Sequence, residues 1–230
     1  MIKNKKYKKH LHLVRRMIFT NRCRLCAKVL PLNEDVCESC SVEKIRVPQQ
    51  VLQSFSFSNR YFDNLTVPFY YDDPVRKCIH KFKYNSFKRA GEFLADEIIN
   101  VIQRDFSDEE PDYITCVPMT KNRRLKRGYN QCEILIKHIA KAFNRKSTPD
   151  LLKKIRNTRP QVSLNRKERA ENLKGAFSVN RKYDIKGKTV LICDDVLTTG
   201  STLGECAKTL KKAGAKRVIC VTGALNSKNF

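Results

Sequence analysis

Two short runs in this 230-residue sequence carry residue types at spacings that do chemistry. The first is Cys23-Arg-Leu-Cys26, then ten residues, then Cys37-Glu-Ser-Cys40. Each C-x-x-C pair forms a tight knuckle that aims two thiolates at one ion. Two pairs complete the tetrahedral four-sulfur shell that Zn²⁺ prefers, and such a closed shell is structural. Arg22, Arg24 and Lys28 stand close enough to offset its double negative charge. A redox dithiol needs only one C-x-x-C beside a strand–helix unit, and an iron–sulfur cluster is the other use of four thiolates. The expectation is structural Zn²⁺ on Cys23, Cys26, Cys37 and Cys40. Cys78, Cys116, Cys132, Cys193, Cys206 and Cys220 are scattered singly and read as small buried hydrophobes. The four histidines show no metal spacing.

The second run is Val190-Leu-Ile-Cys-Asp194-Asp195-Val-Leu-Thr198-Thr199-Gly200-Ser201-Thr202. Four apolar residues predict a buried strand, with two carboxylates following at its C-terminal end and a hydroxyl–glycine loop opening a helix. Open α/β sheets place ligands there. Gly200 lets backbone N–H groups close on an anion, and the helix N-terminus adds partial positive charge. Thr198, Thr199, Ser201 and Thr202 offer hydroxyls to phosphate oxygens. Asp194 and Asp195 repel phosphate, so they address another part of the ligand, a sugar diol or hydrated Mg²⁺. The run is neither a Walker loop nor a Rossmann fingerprint.

Charge points the same way. There are 47 basic and 23 acidic residues, a net charge of +24, and a polyanionic partner is the usual reason to keep such an excess. It is clustered: residues 121–174 hold 17 basic and 4 acidic residues, and residues 1–46 hold 12 and 4. Between Pro118 and Gln131 lie Lys121, Arg123, Arg124, Lys126 and Arg127, followed by Gly128 and two amides. Read as a loop, this stretch neutralises a pyrophosphate or contacts a nucleic-acid backbone. Tyr129, Phe143 and Phe177 are nearby aromatics for stacking on bases, with core packing the better reading for the latter two.

These residues need a scaffold. Leu65–Tyr71, Tyr113–Val117, Thr189–Cys193 and Arg217–Thr222 read as strands. Helices are expected after Asp73-Pro74, with Val75, Cys78, Ile79 and Phe82 inward, and over Ala90–Ile102, Gln131–Phe143 and Thr202–Ala213. On Gln131–Phe143 the inward set is Ile134, Leu135, His138, Ile139 and Ala142. Alternation of strand and helix predicts an α/β fold with a mainly parallel sheet. The expected organisation is a basic segment and four-cysteine finger over 1–47, a linker over 48–60 and the larger domain over 61–230. No run reaches the roughly 20 apolar residues of a membrane span. Arg15 and Arg16 interrupt what would be a signal sequence, so a cytoplasmic setting is expected.

The run from Val190 to Thr202 resembles the signature of type I phosphoribosyltransferases. There, two acidic residues hold the ribose hydroxyls of phosphoribosyl pyrophosphate and the hydroxyl loop cradles its 5′-phosphate. Val117-Pro118 before Arg127-Gly128-Tyr129-Asn130-Gln131, then Thr158-x-x-Gln161-x-x-Leu164, together with the four cysteines, resembles the ComF family of competence-associated proteins. That resemblance implies a zinc finger joined to a phosphoribosyltransferase-like domain that binds phosphoribosyl pyrophosphate with Mg²⁺. On it, Asp194 and Asp195 are the catalytic candidates. Thr198, Thr199, Gly200, Ser201, Thr202, Arg123, Arg127 and Gly128 are ligand contacts. Lys121, Arg123, Arg124, Lys126 and Arg127 are DNA contacts. It further implies a role in natural transformation, handling incoming single-stranded DNA at the cytoplasmic face of the inner membrane, with other competence proteins as partners. The basic stretch Lys153–Lys174 would be a closing loop or a DNA strip. The alternative is an active phosphoribosyltransferase of nucleotide metabolism or salvage with no DNA role. A purine-repressor-type regulator ranks last for want of a helix-turn-helix.

Overall fold

A computed structural model of the chain describes residues 20–54, 61–84, 88–158 and 165–227. After the knuckle region come α1 (Gln49–Ser54), β1 (Asn64–Thr66), β2 (Phe69–Tyr70), α2 (Val75–Tyr84), α3 (Lys88–Asp105) and β3 (Tyr113–Cys116). Then follow α4 (Lys121–Arg127), α5 (Gln131–Ala142), β4 (Leu152–Lys154), α6 (Arg166–Leu173) and β5 (Phe177–Val179). The chain continues with β6 (Thr189–Leu197), α7 (Ser201–Lys212) and β7 (Arg217–Leu225).

The main sheet is parallel, in the order β1-β7-β6-β3, with β2 also on β7; β4 and β5 form a separate antiparallel pair. Both faces of its centre are covered, which is why β6 and β7 are apolar without alternation. Leu191 and Cys193 face a core shared with α2, α3 and α5. Val190 and Ile192 face a second core with α7 and the β4–β5 pair.

Several elements differ from expectation. The strand over Leu65–Tyr71 is two strands, because Pro68 between them has no N–H for the ladder. β6 runs four residues beyond Cys193, so Asp194 and Asp195 lie inside the strand and Asp194 pairs with Thr222. The basic stretch 121–127 is a helix, not a loop. Thr120 caps it by accepting from the Arg123 amide, and Gly128 ends it in the left-handed region at φ 81°. On α5 the buried face is Cys132, Leu135, Ile136, Ile139 and Ala140; Ile134 and His138 are only partly buried and Ala142 is exposed. Within Lys153–Lys174 lie part of β4 and α6, the latter held by an Asn165–Glu168 capping box. Gln161 and Leu164 lie outside the described residues.

The knuckle joins the larger body. Cys23, Leu25, Cys37, Cys40 and Val42 share one core with Phe69, Cys78, Ile79, Phe82 and Phe93. Arg24 pairs with Asp96 at 2.5 Å and Arg46 with Glu97 at 2.8 Å, both across this contact. Gln49–Ser54, in the stretch read as a linker, is helical and buries Leu52 in the second core.

Candidate functional site

A cleft of about 660 Å³ opens at the C-terminal ends of β3 and β6. Its floor is the carboxylate pair. Gly223 on β7 allows the close approach: a Cβ there would lie 3.1 Å from the Asp195 carbonyl oxygen. Asp195 is 8 % exposed. Its Oδ2 meets Lys83 Nζ at 2.8 Å and accepts from Gln131 Nε2 at 2.5 Å. Gln131 in turn accepts from Arg127 at 2.5 Å. Asp194 Oδ1 accepts from the Asp195 amide at 2.9 Å and from the Cys132 thiol at 3.7 Å. Burial first, and then the neighbouring Asp195 charge, push Asp194 up to about 7. Burial works against the Lys83 ammonium, but the Asp195 carboxylate outweighs it and holds Lys83 above the ordinary lysine value.

Beside this pair the chain turns from β6 into α7. Gly200 is left-handed at φ 75° and has no side chain to cap the helix; the Ser201 N–H lies 3.5 Å from Thr199 Oγ1, and the start of α7 brings its partial positive charge to this end of the cleft. Thr198 and Thr202 line the cleft. Thr199 is buried behind them with its Oγ1 2.9 Å from Ser201 Oγ. Across the cleft, Arg123 and Arg127 come from α4 and Lys154 from β4. Burial, then the charge of Arg123, lowers the pKa of Lys154, which donates to Thr158 at 2.8 Å. Four cations thus face two carboxylates, and the cleft suits a polyanion that carries hydroxyls.

The second candidate site is the four-cysteine group. The ligand sulfurs of Cys23, Cys26, Cys37 and Cys40 all lie within 4.8 Å of one another, and Cys26 and Cys37 are 3.7 Å apart. A tetrahedron with Zn–S bonds of about 2.3 Å has edges of about 3.8 Å, so the donor set fits a four-coordinate ion. The Ser39 hydroxyl, with help from the other thiols, draws Cys37 down to about 6, while burial pushes Cys26 and Cys40 up.

The profile of the phosphoribosyl transferase domain family matches residues 88–228. The chain belongs to that family. It is 30% identical over 161 residues to Competence protein F of Haemophilus influenzae, covering 68% of this chain and 70% of that one. DNA utilization protein YhgH of Salmonella typhimurium is 26% identical over 199 residues, covering 85% and 86%. Competence protein ComFC of Streptococcus pneumoniae is 26% identical over 188 residues, covering 81% and 79%. The chain is a homologue of these competence and DNA utilization proteins and shares the α/β type I phosphoribosyltransferase fold.

Within this phosphoribosyl transferase domain the expected residues divide. Asp194, Asp195, Thr198, Thr202, Arg123 and Arg127 line one cleft. Arg124 points elsewhere and pairs with Glu133 at 2.7 Å. Lys126 is exposed, Gly128 serves as the end of α4, and Lys121 begins it. Tyr129 is held by a hydrogen bond from its hydroxyl to the Phe82 carbonyl, and Phe177 is buried. Lys83, Tyr71 and Lys154 also line the cleft and were not singled out from the sequence. The only local signal for Lys83 is a lysine beside the inward Phe82, which by itself marks nothing.

Proposed function

We propose that this is a competence-type protein that handles incoming single-stranded DNA in the cytoplasm. Its phosphoribosyl transferase domain binds phosphoribosyl pyrophosphate with Mg²⁺, and its knuckle holds structural Zn²⁺. One observation carries the reading: the carboxylate pair, the start of α7 and the α4 arginines line one cleft. Asp194 and Asp195 would accept from the ribose hydroxyls. The α7 start, with Thr198 and Thr202, would hold the 5′-phosphate. Arg123, Arg127 and Lys154 would take the pyrophosphate. Mg²⁺ would neutralise pyrophosphate charge and favour its departure.

Support for DNA is the distribution of paired charge. At the opposite end of the sheet several cations are paired, Lys188 with Asp112, Lys211 with Asp63 and Arg217 with Glu109, while Lys186, Lys212 and Lys216 are exposed. Arg123 and Arg127 line the cleft, Lys126 is exposed on the same helix, and none of the three forms an ion pair among the described residues. Tyr84 is 63 % exposed and stands beside Arg127, whose guanidinium is 5.2 Å from its ring centre. An exposed ring within basic surroundings is a stacking platform for unpaired bases. No helix among the described residues is long and apolar enough to cross a membrane.

Calorimetric titration with phosphoribosyl pyrophosphate and Mg²⁺ tests the cleft. Saturable binding is expected, and Asp194→Ala with Asp195→Ala abolishes it in a folded protein. Equal binding by the double variant overturns the assignment. The second reading, a phosphoribosyltransferase with no DNA role, is favoured instead if a ~30-nucleotide strand fails to bind at low salt, where counterion release is strongest. Metal analysis of protein purified without chelators should find one zinc per chain.

A further inference from the structure

We propose that the four-cysteine knuckle is a positioning element of the cleft, acting on Lys83 through helix α2. Its ligand-binding arm rests on the reading of the cleft as a phosphoribosyl pyrophosphate site; its structural arm rests on packing alone. Two lysines near the end of α2 serve two different places. Lys81 Nζ donates to the carbonyl oxygen of Cys26 in the knuckle at 3.1 Å. Lys83 Nζ meets Asp195 in the cleft at 2.8 Å. Residues two apart on an α-helix are turned by about 200°, so one helix end offers one ammonium to the knuckle and the other to the carboxylate pair.

The residue between them fixes that end. Phe82 is fully buried, and its carbonyl accepts from the Tyr129 hydroxyl, two residues before the Gln131 that also holds Asp195. Its ring packs so closely on α3 that a Cβ on Gly91 would lie 2.6 Å from it. Behind Phe82, Cys78 and Ile79 share their core with Cys23, Cys37 and Cys40. A region this small is ordered by its metal more than by its own apolar burial. When the sulfurs are not drawn together, the Cys26 carbonyl loses its fixed place. The end of α2 is then held from one side only. Lys83, whose ammonium offsets the charge of Asp195, loses its alignment with it. The knuckle thus acts on the small-ligand site without touching that ligand.

The test uses the full chain. Hydrogen exchange read by mass spectrometry compares the zinc-loaded protein, the chelated protein and Lys81→Met, with zinc retention in the variant checked by metal analysis. Exchange should rise in peptides covering 75–84 and 129–133 in both, while α7 stays protected. Lys81→Met should weaken phosphoribosyl pyrophosphate binding about threefold to tenfold, the value of one hydrogen bond, and Lys81→Arg should restore it. If chelation unfolds the whole chain, exposing α7, Lys81→Met alone decides. Exchange changes confined to residues 20–47, or ligand binding by Lys81→Met equal to the natural protein, overturn the proposal. If the natural protein binds no phosphoribosyl pyrophosphate, the reading of the cleft fails, and the exchange measurement still decides the coupling.

Discussion

Asp194 shows how a ligand-ready residue burdens the empty protein. Its carboxyl is raised from 3.8 to about 7 by burial and by the charge of Asp195. Between those values the unfolded chain ionises while the folded one keeps its proton. Stability contributed by the protonated carboxyl is therefore present below pH 4, declines as pH rises, and is fully lost above pH 7. Asp194→Asn should thus be more stable than the natural protein by about 4 kcal/mol at pH 8, roughly 8–16 °C in Tm, with the gap closing toward pH 4. Thermal unfolding at pH 4, 6 and 8 checks this, and a gap that ignores pH contradicts it. Thr198→Val, which removes a cleft-lining hydroxyl, should in turn weaken phosphoribosyl pyrophosphate binding by about 1.5–3 kcal/mol, a loss calorimetry reads directly. Both residues were legible in the sequence, because strand end, glycine and hydroxyls are fixed by one continuous turn. Lys83 was not, since its partner Asp195 lies on a strand more than a hundred residues later and no local spacing records such a contact.

Helices account for most of what sequence reading missed. As a loop, residues 121–127 offer five equivalent cations. As a helix they do not: Arg123 and Arg127, four apart, share a face and reach the cleft, whereas Arg124 is turned about 100° away onto Glu133. The same phase error explains α5, where Ile136 and Ala140, not Ile134 and Ala142, complete the buried face. Apolar residues occur on both sides of that helix, so periodicity alone left its rotation open by one step. Helix packing also yields a sharp expectation at Gly91. A side chain there meets the Phe82 ring, so Gly91→Val should destabilise the protein by about 1–3 kcal/mol through overpacking. Urea unfolding measures it, and an unchanged midpoint would mean that α2 and α3 separate freely.

For the whole molecule, the distribution of unpaired cations predicts how DNA binding responds to salt. Each phosphate neutralised contributes about −0.7 to the log–log slope on a single strand. Neutralising Arg123, Lys126 and Arg127 together should flatten that slope by about 2, while Arg124→Gln, already committed to Glu133, should leave it nearly unchanged. Fluorescence anisotropy across a salt series separates the two, and equal effects would place DNA elsewhere. The parallel α/β plan itself was legible from alternating strands and helices, but the strand order was not, because nothing local specifies which strands become neighbours. That order has a consequence for synthesis. β1 and β2 pair with β7, whose residues 217–225 are made long after them. At roughly 5–20 residues per second, the ribosome needs on the order of ten to forty seconds to travel from the knuckle to that strand. Throughout that interval the apolar sides of α2, α3 and α5 have no finished sheet to lie on, and the early thiols have no finished body to dock against. The nascent chain is therefore most exposed to aggregation and thiol oxidation just before β7 emerges, and arrest of translation there would leave a chain with six of the seven described strands made and little of its fold.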